Sequence, residues 1–301
     1  MYPHGPTLRT TDGCLASVLI EACARVGFDG RDAQPLRVGT NALFLVRRTP
    51  SVVVRIGVRV DAIQIAEKEI RVAEWLAAAE VPAVRPVAGI AQPLRVGGHP
   101  VTFWEWVPPD GELPTIRQLA AMLRRLHALP APQFELPHFD PLGRVDALLA
   151  ADGAVDPDCV SYLRDECERL TLAYRHLAFD LPLGPIHGDA HTGNLICSNG
   201  RVVLLDFETF ALGPREWELV PTAVQRERFG LSVPAYRAFV EAYGVDVRAC
   251  SAYPVLRRIR EVTITAWLLG AVAQRRDALE EFDTRVAALR SARRGRVWRP
   301  F

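Results

Sequence analysis

Lysine is almost missing from this chain of 301 residues: of its 36 basic residues only Lys68 is a lysine. Any site that needs a fixed cation must therefore draw on arginine, whose guanidinium stays charged and forks onto carboxylate or phosphate. A net charge of either sign is missing too. The balance is +1, which gives no footing for nucleic acid or a membrane surface as the main partner. No run of 18 apolar residues exists, so no membrane-spanning helix is expected. The first residues, MYPHGPTLRTTDG, lack the apolar core of a signal peptide. The six cysteines (14, 23, 159, 167, 197 and 250) include no Cys-x-x-Cys pair, and they read as reduced thiols of a cytoplasmic protein. What remains is an ordinary globular composition, 49% hydrophobic and 24% charged, on a chain long enough for one large domain or two lobes.

The chemistry concentrates in Ile186-His187-Gly188-Asp189-Ala190-His191-Thr192-Gly193-Asn194-Leu195-Ile196, a short polar loop entered and left through apolar residues. Beyond it an apolar strand, Val202–Leu205, ends in Asp206-Phe207-Glu208. Asp189, Asn194 and Asp206 together supply what phosphoryl transfer requires. One carboxylate positions or accepts the proton of an attacking hydroxyl, while an amide oxygen and a second carboxylate hold Mg²⁺. His187, Asp189 and His191 also alternate as His-x-Asp-x-His, which leaves open a zinc-dependent hydrolase.

His-Gly-Asp-x-x-x-x-Asn followed by Asp-Phe-Glu resembles the aminoglycoside phosphotransferase family, whose protein-kinase-like fold is shared with choline and fructosamine kinases. The resemblance implies an α+β fold of two lobes. Residues 1–107 would form a small antiparallel-sheet lobe and hinge that binds nucleotide, and residues 108–301 a larger, mainly helical lobe that binds the acceptor. It also implies Mg²⁺-dependent transfer of the γ-phosphate of ATP, or of GTP, to a hydroxyl of a small molecule such as an antibiotic, sugar or amino alcohol. In that scheme Asp189 orients the acceptor hydroxyl, Asn194 and Asp206 hold the metal, His187 orients the loop backbone and Glu208 backs up the metal. The turn Gly39-Thr40-Asn41 would cover the phosphates. Trp104, Glu105 and Trp106 would lie where the backbone meets the adenine edge; the rings of Phe103, Trp104 and Trp106 either wall a purine pocket or belong to the core. The segment Gly213–Glu218 would order the metal-binding strand, or it is a Gly-Pro turn that caps a helix.

One departure from the family stands out. The strand Val52–Ile56 carries Arg55 where the family and its kinase relatives place a phosphate-binding lysine, and this motivates an alternative reading as a catalytically impaired nucleotide-binding protein. Helical periodicity bears on the same residue. Over Ala62–Ala79, with Asp61 as the expected cap, Ile63, Ile70, Ala73 and Leu76 share an apolar half-wheel while Glu67, Lys68, Arg71 and Glu74 fill the other half. Glu69 falls inside the apolar half. A carboxylate there needs a partner, and Arg55 is the expected one; the alternative is that Glu69 rims a cleft.

Elsewhere the patterns predict a helix over 14–27 closed by Gly27, strands over 35–38, 43–48 and 51–56, and further strands over 84–91 and 94–107 with a turn at Gly97-Gly98. From Thr115 onward helices dominate, at 157–179, 216–229, 233–243, 253–271 and 275–292. The acidic residues of these last helices are scattered among many arginines, so a polycationic acceptor is no better supported than a neutral or singly charged one. Arg285, Arg290, Arg293, Arg294, Arg296 and Arg299 read as a solvated basic tail.

Overall fold

The computed structural model describes residues 12–39, 41–58, 62–150, 155–272, 275–291 and 297–301. Thr40, Asp61, Arg293, Arg294 and Arg296 lie outside the described residues. In chain order the first elements are α1 (Asp12–Arg25), β1 (Gln34–Val38), β2 (Asn41–Val46), β3 (Val52–Gly57), α2 (Ile63–Ala78), β4 (Leu94–Val96) and β5 (His99–Glu105). Then come α3 (Ile116–His127), α4 (Val145–Leu149), α5 (Pro157–Arg175), β6 (Leu183–Ile186), β7 (Leu195–Ser198), β8 (Arg201–Leu204) and β9 (Ala211–Pro214). The chain closes with α6 (Glu216–Arg228), α7 (Val233–Tyr243), α8 (Tyr253–Ala266), α9 (Leu269–Val272) and α10 (Arg276–Arg290). These elements fall into two compact units, Met1–Pro114 with Gly193–Phe210, and Thr115–Thr192 with Ala211–Phe301.

The first unit is built on a five-stranded antiparallel sheet in the order β1-β2-β3-β5-β4. Alternation along the strands sorts its two faces. Ala42, Phe44 and Val46, Val52, Val54 and Ile56, and Val101 and Phe103 pack with Leu15, Val18, Leu19 and Ala22 of α1 into the core. The out-of-phase residues Leu43, Val53, Arg55 and Trp104 turn to the opposite face and line a cavity. Gly27 ends the first helix with a left-handed φ of 74°, and Gly97 and Gly98 make the β4–β5 turn with φ of 56° and 83°.

The strand expected over 84–91 does not form. Pro82 and Pro86 have no N–H to donate, and only isolated bridges remain, Ala83 to Leu204 and Pro86 to Trp104. In α2 the residue beside the predicted ion-pair partner also departs from expectation. Lys68 is buried, and its Nζ donates to the backbone oxygens of Glu208 (2.6 Å) and Phe210 (2.9 Å). Its long stem carries the ammonium to those carbonyls from a position that the helical wheel assigns to solvent.

Residues 193–210 fold as a hairpin in this unit. Asn199 and Gly200 take left-handed φ of 50° and 70°, the backbone that suits a two-residue turn between antiparallel strands. The hairpin sets Leu195 opposite Leu204, and the N–H of Leu205 donates to the carbonyl of Asn194 at 2.9 Å. Asn194 and Asp206 are thereby brought side by side by backbone pairing.

The second unit is mostly helical. Thr115 caps α3 in a reciprocal box with Gln118, and Leu119, Met122, Leu123 and Leu126 are buried on one face as the periodicity predicts. The strands β6 and β9 pair from Leu183↔Pro214 to Ile186↔Ala211, which puts the start of α6 beside the segment that enters β6, where Glu216 Oε1 accepts from the N–H of Leu181 at 2.7 Å. Of the described tail arginines, Arg290 and Arg299 are exposed, but Arg285 is not solvated. Arg285 is buried and bonds Glu281, Arg290 donates to the carbonyl of Asp158, and Trp298 is buried against Arg228 and Arg285. Buried Glu281 draws Arg285 inward, as buried Glu261 does Arg228.

Candidate active site

A cavity of about 200 Å³ opens in the first unit. One part of its wall is apolar and aromatic, with Leu43, Val53, Ile196 and Trp104; the other is polar, with Asn41, Arg55, Glu69, Asn194 and Asp206. Arg55 points into it from the middle of β3, the strand between β2 and β5, and pairs through Nη1 with Glu69 Oε1 of α2. Its Nη2 reaches Glu208 Oε2 at 3.3 Å. The same Glu208 oxygen accepts from Asn41 Nδ2 at 3.1 Å. Glu208, expected beside the metal, is thus engaged with Arg55 and Asn41.

Burial works against charge on the Arg55 guanidinium, but Glu69, Asp206 and Glu208 outweigh it and hold the group firmly protonated. Burial also raises the Glu69 carboxyl, and Arg55 offsets that only in part. The pair therefore depends on both members: without the cation, Glu69 would be a buried carboxylate with 2% of its side chain exposed.

Trp104 is buried in β5, donates its indole N–H to Thr102 Oγ1 at 2.8 Å and leans on Phe207 with ring centroids 6.3 Å apart. Glu105 is exposed and Trp106 half-buried, and both line the cavity. Their backbone N–H groups are engaged, Glu105 with the carbonyl of Arg85 (2.8 Å) and Trp106 with that of Ser51 (3.2 Å).

Asn194 and Asp206 line the same cavity, and their side chains offer an amide oxygen and a carboxylate. Asp206 holds a left-handed φ of 60°, a conformation that costs a non-glycine residue on the order of 1 kcal/mol or more and marks an imposed geometry. Two hard oxygen donors held together by the hairpin fit Mg²⁺, which takes one or two protein oxygens and completes its shell with phosphate and water.

Asp189 belongs to the second unit. Ile186 ends β6, His187 is fully buried, and Gly188 turns the chain with a φ of 86° that a side chain would oppose. Glu218, in the first turn of α6, accepts from the N–H of His187 (2.7 Å) and of Gly188 (3.0 Å), and Trp217 Nε1 donates to the carbonyl of Gly188 at 2.9 Å. The segment 213–218 therefore orders the loop before Asp189. His187 Nδ1 accepts from the N–H of Asp189 at 3.4 Å, so its ring is turned to its own loop.

The Asp189 carboxylate has His191 Nε2 at 3.6 Å and Arg260 Nη1 at 3.7 Å. Burial pushes its pKa up, but the bond from His191 and the charges of Arg260, His191 and His187 prevail and hold it well below the usual carboxylate range. Arg260, on α8, is a neighbour that no local motif signals. The alternating His187, Asp189 and His191 do not gather as zinc ligands. Among the described residues the His, Cys, Asp or Glu donor atoms that come within 4.8 Å of one another in a group of three are those of Asp180, Glu216 and Cys250.

The profile of APH, the phosphotransferase enzyme family, matches residues 32–262. The chain belongs to this family. It has the protein-kinase-like fold of the family's solved structures and is a phosphotransferase. It is similar to amicoumacin kinase hAmiN, solved in complex with AMP-PNP, Ca²⁺ and Ami, at 12% identity, TM-score 0.70, and coverage of 95% of this chain and 97% of that one. Choline kinase LicA from Streptococcus pneumoniae is 15% identical with TM-score 0.66, covering 93% and 100%. A microcompartment-associated aminopropanol kinase is 19% identical with TM-score 0.65, covering 90% and 94%. A comparison with curated proteins finds no match.

Proposed function

We propose that this phosphotransferase is a cytoplasmic small-molecule kinase that transfers the γ-phosphoryl group of ATP, or of GTP, to a hydroxyl of an antibiotic, sugar or amino alcohol. The observation that carries the reading is the polar part of the first unit's cavity, where Arg55, Glu69, Asn194 and Asp206 converge. In this reading Arg55, braced by Glu69, holds the nucleotide phosphates in the place of the family's lysine. Asn41, at the start of β2, lies beside those phosphates. The backbone around Glu105 and Trp106 meets the nucleobase edge; with those two N–H groups engaged, the next amide, Val107, is the donor for it. The aromatic face of Trp104 supplies apolar wall. Asn194 and Asp206 hold Mg²⁺, which when bound neutralises charge on the phosphates.

Asp189 accepts the hydrogen bond of the acceptor hydroxyl. As the oxygen bonds to the γ-phosphorus and the bond to the leaving nucleoside diphosphate breaks, the hydroxyl proton passes to the Asp189 carboxylate. A carboxylate held below the ordinary range is a weak base, so its main work is orientation and electrostatic support of the hydroxyl.

The acceptor class follows from what stands beside that carboxylate. Arg260 and His191 are cationic or ionisable neighbours, and a polycationic acceptor would need carboxylates there. We therefore favour a neutral or singly charged hydroxyl compound. Nucleoside diphosphate release from ATP and from GTP, measured with Mg²⁺ over aminoglycosides, neutral antibiotics, sugars, amino alcohols and nucleosides, tests this. Stimulation by a neutral or singly charged class is the expected result, and stimulation by aminoglycosides alone would overturn the acceptor assignment.

A further inference from the structure

We propose that the second unit carries a separate site for a thiophilic divalent cation of the Zn²⁺ class, formed by Asp180, Glu216 and Cys250. The three residues come from distant parts of the chain: Asp180 from the segment before β6, Glu216 from the first turn of α6, and Cys250 from the turn before α8. Their donor atoms nevertheless lie within 4.8 Å of one another.

A cluster of two acids and a thiol is common without a ligand, and the decisive feature is Glu216. It is fully buried; its Oε1 accepts from the N–H of Leu181 at 2.7 Å, and its Oε2 has no hydrogen-bond partner. Among the described residues neither Glu216 nor Asp180 forms an ion pair. Asp180 Oδ2 accepts only neutral donors among its hydrogen bonds, the N–H (2.7 Å) and hydroxyl (3.0 Å) of Ser251. Two carboxylates against a buried thiol, with no cation paired to them, leave a local excess of negative potential that a bound cation would cancel. Burial first, and then the charges of Glu216, Asp180 and Asp246, raise the Cys250 thiol.

The sulfur sets the class of metal. Mg²⁺ and Ca²⁺ take oxygen donors, whereas a Cys-carboxylate set suits Zn²⁺ or Cd²⁺ with water in the fourth position. Ligands around tetrahedral Zn²⁺ stand roughly 3.3–3.8 Å apart, so closure needs side-chain movements of about 1 Å. The exposed Asp180 provides the entry from solvent. On binding, the thiol proton leaves to solvent and the sulfur–metal bond takes its place, so affinity rises with pH. Such a metal would tie the segment entering β6 to the start of α6. That is two residues from Glu218, which holds the backbone of His187 and Gly188. The inference does not depend on the kinase reading.

The test uses the full-length, metal-stripped protein and Cd²⁺ alone, with no nucleotide. Saturable binding of one equivalent is expected, with a thiolate-to-metal charge-transfer band in the near ultraviolet and a raised Tm. The band should vanish in Cys250→Ser and persist in Cys14→Ser and Asp206→Ala. If Cys250→Ser does not fold, Asp180→Asn decides, because Asp180 is exposed and its loss should weaken Cd²⁺ at least tenfold. Absence of a saturable band in the wild type, a band that survives Cys250→Ser, or unchanged affinity in Asp180→Asn overturns the site.

Discussion

Replacing Arg55 with methionine while leaving Glu69 in place should turn a buried pair into a buried lone carboxylate. The side chains are 14% and 2% exposed, so solvent can do little to rescue the acid. Removing one partner of such a pair costs about 3–5 kcal/mol near neutral pH. Glu69→Gln should cost less, about 1–2 kcal/mol, because Arg55 keeps Glu208 at 3.3 Å and the field of Asp206. The two losses should therefore not add: Arg55→Met with Glu69→Gln should be no less stable than Arg55→Met alone, a coupling of about 1–3 kcal/mol.

The pH dependence is a second signature. The Glu69 carboxyl is already raised by burial in the wild type. A raised acid contributes stability that is complete below its unfolded value of about 4.3 and is lost as pH rises through the folded value. Without Arg55 the folded value climbs further. The stability of Arg55→Met should then fall with rising pH over the range above about 4.3, by up to ~1.4 kcal/mol per pH unit. Glu69→Gln in the same background should flatten that slope. Urea denaturation of the four proteins from acid to neutral pH measures all of this. Strictly additive losses, or parallel stability curves for Arg55→Met and wild type, would refute the reasoning.

Three further outcomes are expected. Asp206→Ala should abolish Mg²⁺-dependent nucleotide binding, read by calorimetry with and without the metal; undiminished Mg·ATP affinity would count against its role. Glu218→Ala should remove the acceptor of two buried backbone N–H groups, cost about 2–4 kcal/mol and lower turnover more than nucleotide affinity; a stable variant of wild-type activity would show that the loop before Asp189 is held otherwise. Arg260→Leu should let the depressed Asp189 carboxyl rise toward its ordinary value. Asp189's own contribution to stability is present above about pH 4 and lost on acidification below it. In the variant the acid limb of the pH–rate profile should therefore move to higher pH, and an unmoved limb would separate Arg260 from Asp189.

Much of this arrangement can be read in the sequence because it is written locally. The chain 186–208 carries its chemistry within one loop and one hairpin, and the apolar wheel of α2 exposes Glu69 as an anomaly for which a partner cation is one of two readings, and the pair with Arg55 forms. The burial of Lys68 is less legible: the wheel gives the direction of a Cα–Cβ bond, not the reach of a four-carbon stem. Strand 84–91 fails for a similar reason, since apolar content suggests pairing while Pro82 and Pro86 remove the donors that pairing needs. Glu218 and Arg260 meet the Asp189 loop from α6 and α8, helices distant in the chain, which no local period encodes. Arg285 looks like part of a basic tail until the buried Glu281 that receives it is located.

Nucleotide affinity and acceptor-stimulated turnover of Asp189→Asn, measured on the same preparation, test the central claim most directly. The account predicts Mg·ATP affinity near wild type and turnover lower by roughly 10²–10⁴, the usual loss on removing a general base. Near-normal turnover would contradict it, because the proton of the acceptor hydroxyl would then be handled by some other group.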